Sequence, residues 1–164
     1  MKTITDKQKI ITLLTRAVSS VLVKEHLEKQ LNSGKKLRVK FGIDPTAPDI
    51  HLGHSVPLMK LRQFQEMGHK AVLIIGDFTA KIGDPSGRAE ARKPLSDHEI
   101  RKNFKNYIAQ AGKIIDIKKT EIHFTSEWFG KMTAREFLEL TNKATVQQVT
   151  KRRDFKKRIK EDTD

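Results

Sequence analysis

Two histidines, His51 and His54, flank Leu52-Gly53 in a segment that opens Asp44-Pro45-Thr46-Ala47-Pro48-Asp49-Ile50. Pro57 limits where a helix carrying Leu58 and Leu61 can start, because proline suits the first helical turn and clashes further in. The helix therefore begins no earlier than about Gly53, and both imidazoles fall at its N-terminus. Unpaired backbone N–H groups at such an end favour an anion, phosphate above all. Two imidazoles add side-chain donors aimed at the same place. Gly53 between them lets a flat ring approach the backbone without meeting a side chain. The same pair also suits a metal, with Asp44 or Asp49 as further ligands, or plain surface polarity. The positive end of a helix repels a cation, which weighs against the metal.

A second segment, Gly76-Asp77-Phe78-Thr79-Ala80-Lys81-Ile82-Gly83-Asp84-Pro85-Ser86-Gly87-Arg88, continues to Arg92. Asp84-Pro85-Ser86-Gly87 alone reads as a type I turn, with each residue in its favoured place. Its setting after an apolar run and before two arginines suggests more. If helical, Arg88 and Arg92 share one face and hold a diphosphate through paired N–H forks. Asp84 is then a candidate to bind an ammonium group.

The elements that must carry these residues follow from periodicity. Ile10, Ile11, Leu14, Val18 and Leu22 recur at helical spacing, continued by Leu27 and Leu31 up to Asn32-Ser33-Gly34. Leu37 to Ile43 alternates with period two, as a strand does. Leu58, Leu61 and Phe64 return to helical spacing and end near Gly68. Ala71 to Ile75 is a short apolar run that fits a strand buried on both faces. Ile100, Phe104, Tyr107, Ile108 and Ala111 mark a helix entered through Ser96, with Glu99 at capping-box spacing. Glu121 to Phe124 reads as a strand, and residues 134–142 and 146–160 as helices. Strand, helix, strand, helix, strand is the pattern of a parallel sheet with helical crossovers, so the class is α/β. Ligands in such sheets sit beyond the carboxyl ends of the strands, here after Ile43 and after Ile75. A helical segment over residues 1–35 precedes the sheet unit of residues 36–164.

Composition narrows the field. The 164 residues make one ordinary domain by length. The absence of cysteine excludes disulfides, thiolate metal sites and cysteine nucleophiles. No stretch approaches the roughly 20 apolar residues of a membrane span, and the N-terminus lacks the apolar core of a signal peptide, so the expectation is a cytoplasmic protein with no membrane partner. The net charge of +13 points to polyanionic partners, nucleotides or nucleic acid.

With these two segments placed, the chain resembles the N-terminal part of bacterial tyrosyl-tRNA synthetases, class I enzymes with a Rossmann-like catalytic domain. His51-Leu52-Gly53-His54 matches the class I H-x-G-H signature, and Asp44-Pro45-Thr46-Ala47-Pro48 is the lead-in of the tyrosine enzymes. Gly76-Asp77-Phe78-Thr79 and Gly83-Asp84-Pro85-Ser86-Gly87-Arg88 match the next block, and Phe64-Gln65 with Gly68-His69 the helix between. The similarity is clear over about residues 36 to 105 and looser as far as Asp154-Phe155-Lys156-Lys157-Arg158.

The resemblance implies a two-step ligase: tyrosine attacks the α-phosphate of ATP to give tyrosyl-adenylate, and the tyrosyl group passes to tRNA(Tyr). It implies that His51 and His54 donate to the phosphates and that Gly53 lies against the adenine, with Gly42 and Asp44 also in the ATP site. Asp44 also borders the tyrosine site, Thr79 lines it, and Asp84 binds the substrate ammonium. Arg88 and Arg92 stand where the family keeps cations for the departing pyrophosphate. Magnesium accompanies ATP as part of the substrate complex, no tightly bound cofactor is implied, and the intact proteins are usually homodimers. Two positions depart from the pattern: Lys40 replaces a tyrosine that one branch uses to bond the substrate phenol, and Ala80 stands where many relatives have glycine. The family's tyrosine-specificity helix, K-M-S-K-S-type loop and anticodon-binding region have no counterpart in these residues, so the chain reads as a fragment with half an active site, inactive on its own. Two other readings stand beside this one. A complete H-x-G-H adenylyltransferase would place the signature after its first strand, nearer the N-terminus. A non-catalytic RNA-binding module would use the cations of Lys151-Arg152-Arg153 and Lys156-Lys157-Arg158.

Overall fold

The computed structural model describes residues 2–82, 95–151, 155–156 and 159–160, so Asp84, Arg88 and Arg92 lie outside the described residues. Helix α1 (Lys7–Thr15) starts where Asp6 accepts the Lys9 N–H at 2.9 Å, and α2 (Lys24–Asn32) follows. The helical period running from Ile10 to Leu31 is therefore two helices with a break between them. The break places Ala17 and Val23 at φ of 53° and 52° and leaves Leu22 in solvent, 89% exposed. Val18-Ser19-Ser20-Val21-Leu22-Val23 propagates a helix poorly, because β-branched side chains lose χ1 freedom and serines bond the backbone in competing ways.

Strands β1 (Arg38–Ile43), β2 (Lys70–Ile75) and β3 (Glu121–Phe124) form the expected parallel sheet in that order. Helices α3 (Leu52–Glu66) and α4 (Asp97–Ala111) make the two crossovers. Helix α4 begins as its sequence indicates: Ser96 and Glu99 cap one another, each side chain bonded to the other's backbone N–H. Ile43 pairs with Ile75 and Ile75 with Phe124, so the three strands end level. The residues that follow them, Asp44, Gly76 and Thr125, are thereby brought side by side at one edge.

The two sheet faces differ. Val39, Phe41, Ile43, Ala71, Leu73, Ile75, Ile122 and Phe124 point to the face covered by α3 and α4, where Leu58, Leu61, Tyr107 and Ala111 complete the core. On the other face Arg38, Lys40 and Gly42 are exposed. There Arg38 reaches over β2 to Glu121, 2.6 Å away, and Val72 between them is buried. Helices α1 and α2 extend the core at its other end: Ile10, Leu13, Leu14 and Leu31 pack with Phe64 and Met67 at the close of α3. The short α5 (Ser126–Phe129) was not expected from the sequence; α6 (Ala134–Thr141) lies where a helix was expected, whereas α7 (Val146–Thr150) covers only the start of the helix expected over 146–160 and ends with Lys151 as its C-cap. Phe137, Leu138, Leu140 and Val146 on these last two are exposed. No helix among the described residues is long and apolar enough to cross a membrane.

Candidate nucleotide-binding site

Helix α3 begins at Leu52 with His51 as its N-cap, and Pro57 lies inside it, in the second turn and not the first, so the proline does not set the start. His51 and His54 come together there, their rings stacked with centroids 3.9 Å apart. The His51 backbone N–H donates to His54 Nδ1 at 3.2 Å. That bond fixes the tautomer: an accepting Nδ1 leaves the proton on Nε2 of a neutral ring. The His54 pKa is lowered first by burial and then by its neighbour His51, which favours the same neutral form. His54 therefore offers an N–H donor at the helix N-terminus, where phosphate is favoured.

Gly53 also acquires a role. A Cβ there would lie 2.9 Å from Cε1 and Nδ1 of His51, so the flat ring lying against this glycine is His51's own. Among the described residues no group of three or more His, Asp or Glu converges as a metal site would require.

The second part of the site is built at the level strand ends. Thr79, in a single turn after β2, donates its hydroxyl to Asp44 Oδ1 at 2.9 Å. Gly76 makes this possible, since a Cβ on it would overlap Asp44 Oδ1 and Thr79 Oγ1. Beside it Asp77 ties β2 to β3. Its carboxylate accepts from the Ser126 hydroxyl at 2.5 Å, the Ser126 N–H at 2.9 Å, the Thr125 hydroxyl at 3.1 Å and the Phe78 N–H at 2.9 Å. Burial by itself would raise the Asp77 pKa, but these donors, Ser126 foremost, hold the carboxyl below its usual range. The methyl of Ala80, one of the two departures from the family pattern, belongs to a buried residue.

The structure thus brings Asp44 to Thr79 and His51 to His54. It sets Gly42 on the exposed sheet face two residues before Asp44, with open space where a Cβ would be. Sequence reasoning gave no role to Gly76, Asp77 or the α4 residues Asn103, Asn106, Tyr107 and Gln110. Tyr107 lies 6.2 Å from His54, ring centroid to centroid, and the three amides bond the loop between Asp44 and His51. A readable trace existed: polar amides on a helix face that also carries buried Ile100, Tyr107 and Ala111.

Comparison with known proteins agrees with this arrangement. The family model for class I tRNA synthetases (W and Y) matches residues 32–164. A tyrosine--tRNA ligase of Carboxydothermus hydrogenoformans is 50% identical over 155 residues, covering 92% of this chain and 38% of its own length. One from Xanthomonas campestris is 50% identical over 149 residues, covering 91% and 37%. The chain thus spans under two-fifths of the length of these curated relatives. Among solved structures, a C-terminally truncated mitochondrial tyrosyl-tRNA synthetase of Coccidioides posadasii superposes with a TM-score of 0.73 at 26% identity, over 95% of this chain and 46% of the other. The level strand ends, the H-x-G-H helix start and the matched span together place the chain in the class I tRNA synthetase family of the tryptophan and tyrosine enzymes.

Proposed function

We propose that this chain carries the ATP-binding half, and part of the amino-acid site, of a tyrosine--tRNA ligase that forms tyrosyl-adenylate and transfers the tyrosyl group to tRNA(Tyr). The observation that carries the reading is the neutral His54, held by the His51 N–H at the start of α3 with Nε2 as its donor. No protein nucleophile is needed: tyrosine's carboxylate attacks the α-phosphate and pyrophosphate leaves. Acceleration comes from holding the reactants in line and from donors aimed at the charge that builds on the phosphates.

His51 and His54 supply such donors. Gly42 admits the nucleotide, Gly53 receives its adenine only when the exposed His51 ring swings off the glycine, and Asp44 stands between nucleotide and amino acid. Thr79 holds that carboxylate through its hydroxyl and borders the amino-acid pocket. Asp84 is assigned to the tyrosine ammonium, and Arg88 and Arg92 to the pyrophosphate, on sequence grounds alone. Magnesium enters as a component of the ATP substrate. Lys40 cannot act as the phenol-bonding tyrosine it replaces, so phenol recognition falls to other residues. The working protein is a homodimer, a reading supported by the exposed apolar residues of α6 and α7.

The test is His54→Ala in the full-length protein. Adenylate formation, followed by ATP–pyrophosphate exchange, slows by about 10²–10³-fold, the worth of one transition-state donor, while tyrosine affinity barely changes. Loss of tyrosine binding instead would displace His54 from the phosphate site. The 164-residue chain itself binds ATP weakly and charges no tRNA; measurable charging by it would overturn the assignment of half a site. Adenylylation of a phosphopantetheine-like acceptor would favour the stand-alone adenylyltransferase.

A further inference from the structure

Between Asp44 and His51 the chain has little secondary structure to hold it. Pro45 and Pro48 bring no N–H groups, and within the loop Thr46 N–H donates to Asp44 O at 2.8 Å. Yet Pro45 is fully buried, and a buried carbonyl must find a donor. Helix α4 provides it. Asn103, itself buried, donates through Nδ2 to Pro45 O at 3.0 Å. One turn on, Asn106 donates to Pro48 O at 3.2 Å. A further turn on, Gln110 accepts the Ile50 N–H at 2.9 Å and donates to the Asp49 carboxylate. The spacing of three and then four residues keeps all three amides on one side of the helix.

We propose that this row of amides is a positioning device that sets where Asp44 stands relative to the His51–His54 pair. Its first bond falls on the residue after Asp44 and its last on the residue before His51, so α4 grips the loop at both functional ends. Between them on the same helix, Tyr107 packs beside the His54 ring. Gln110 fixes the peptide entering Ile50, and the next peptide carries the His51 N–H that locks His54 in its Nε2–H form. Asn103, Asn106 and Gln110 are positioning residues: they act on the nucleotide through the loop. The consequence for catalysis rests on the proposed ligase reading, whereas the positioning itself does not.

The experiment is ¹⁵N NMR of the His54 imidazole in this chain at pH 8, without nucleotide. The wild-type chain shows one tautomer, with Nδ1 accepting and Nε2 protonated. Gln110→Ala is compared with Gln65→Ala, which removes a similar clamp, between α3 and the backbone at Asp116, far from the histidines. The expected result is that Gln110→Ala loses the single-tautomer signature while Gln65→Ala keeps it, both having lost stability. If both keep it, or both lose it, the amides only stabilise the fold and the proposal is overturned. Should Gln110→Ala fail to fold, Asn106→Ala removes a single bond and is read the same way: a shift toward mixed tautomers supports positioning, and an unchanged signature overturns it. Absence of ATP binding in any of these proteins would count against the ligase reading and leave this result intact.

Discussion

Alanine at position 53 sets two effects against each other. In a helix interior alanine is favoured over glycine by about 1 kcal/mol, and Gly53 is not at positive φ. The added methyl, however, would lie 2.9 Å from the His51 ring. That ring is exposed and free to swing away, so relief is cheap in stability and costly in geometry. Gly53→Ala is therefore expected to leave the urea midpoint unchanged or raised while breaking the imidazole stack. Adenylate formation in the full-length protein then falls by roughly 10-fold or more, as a misplaced donor would cause. A loss of stability without loss of rate would show that the glycine serves the helix and not the ring. The histidine pair and its glycine were legible in the sequence because their relation is local, three residues on one turn. Which ring lies over Gly53 depends on side-chain torsions, and spacing does not encode those. The Asp44–Thr79 bond joins residues 35 apart; the sequence showed two strand ends, and only their level register makes them partners.

At the scale of elements, α1 is held to the helix that carries the histidines by apolar packing and also by one polar side chain. The Lys60 ammonium on α3 donates to Leu13 O and Arg16 O, each at 2.8 Å, and to Gln63 Oε1 at 2.7 Å. These carbonyls are among those a helix C-terminus leaves without partners. Lys60→Met removes a charged donor from carbonyls that have no intrahelical substitute, and should cost about 1–3 kcal/mol in urea unfolding; a loss below about 0.5 kcal/mol would mean water replaces the ammonium. The start of β2 is pinned differently. Buried His69 accepts the Leu37 N–H on Nδ1 at 3.3 Å, and burial, then the nearby Lys36, lowers its pKa from 6.5. The unfolded chain thus takes up the proton first. His69 contributes stability above pH 6.5 that is lost as pH falls from there toward the folded-state value. His69→Gln, which keeps an acceptor and cannot titrate, should flatten the decline in denaturation midpoint between pH 7.5 and 5.5, and an unchanged slope would assign the decline to other groups. Strand and crossover order could be read from periodicity because hydrophobic spacing reports burial directly. The break at residues 16–23 could not, since Val18 and Leu22 keep helical spacing while their backbone leaves the helix.

Two features of the whole molecule pull in opposite directions: a net charge of +13 and apolar surface on the last helices. Phe137 and Leu138 on α6 are 53% and 63% exposed, and Val146 on α7 is 80% exposed. A face of this kind favours contact with a second copy, the arrangement proposed for the working protein, because burying apolar area is favourable whatever the charge. Two molecules of like charge nevertheless repel as they approach, and the repulsion is screened over about 10 Å at 0.1 M salt and about 3 Å at 1 M. Salt therefore separates the two forces. Sedimentation velocity of the chain at low and high sodium chloride should show the average coefficient rising with salt, since screening removes repulsion and leaves apolar contact intact. Binding to a polyanion such as RNA moves the other way, weakening steeply with salt as released counterions lose their advantage. Phe137→Glu tests the assignment of the contact: it should abolish the salt-driven rise without altering RNA binding by more than the one added charge. A sedimentation coefficient that falls with salt would instead make the contact electrostatic, and would move the self-association surface from α6 and α7 to a patch of paired charges such as Arg38 with Glu121.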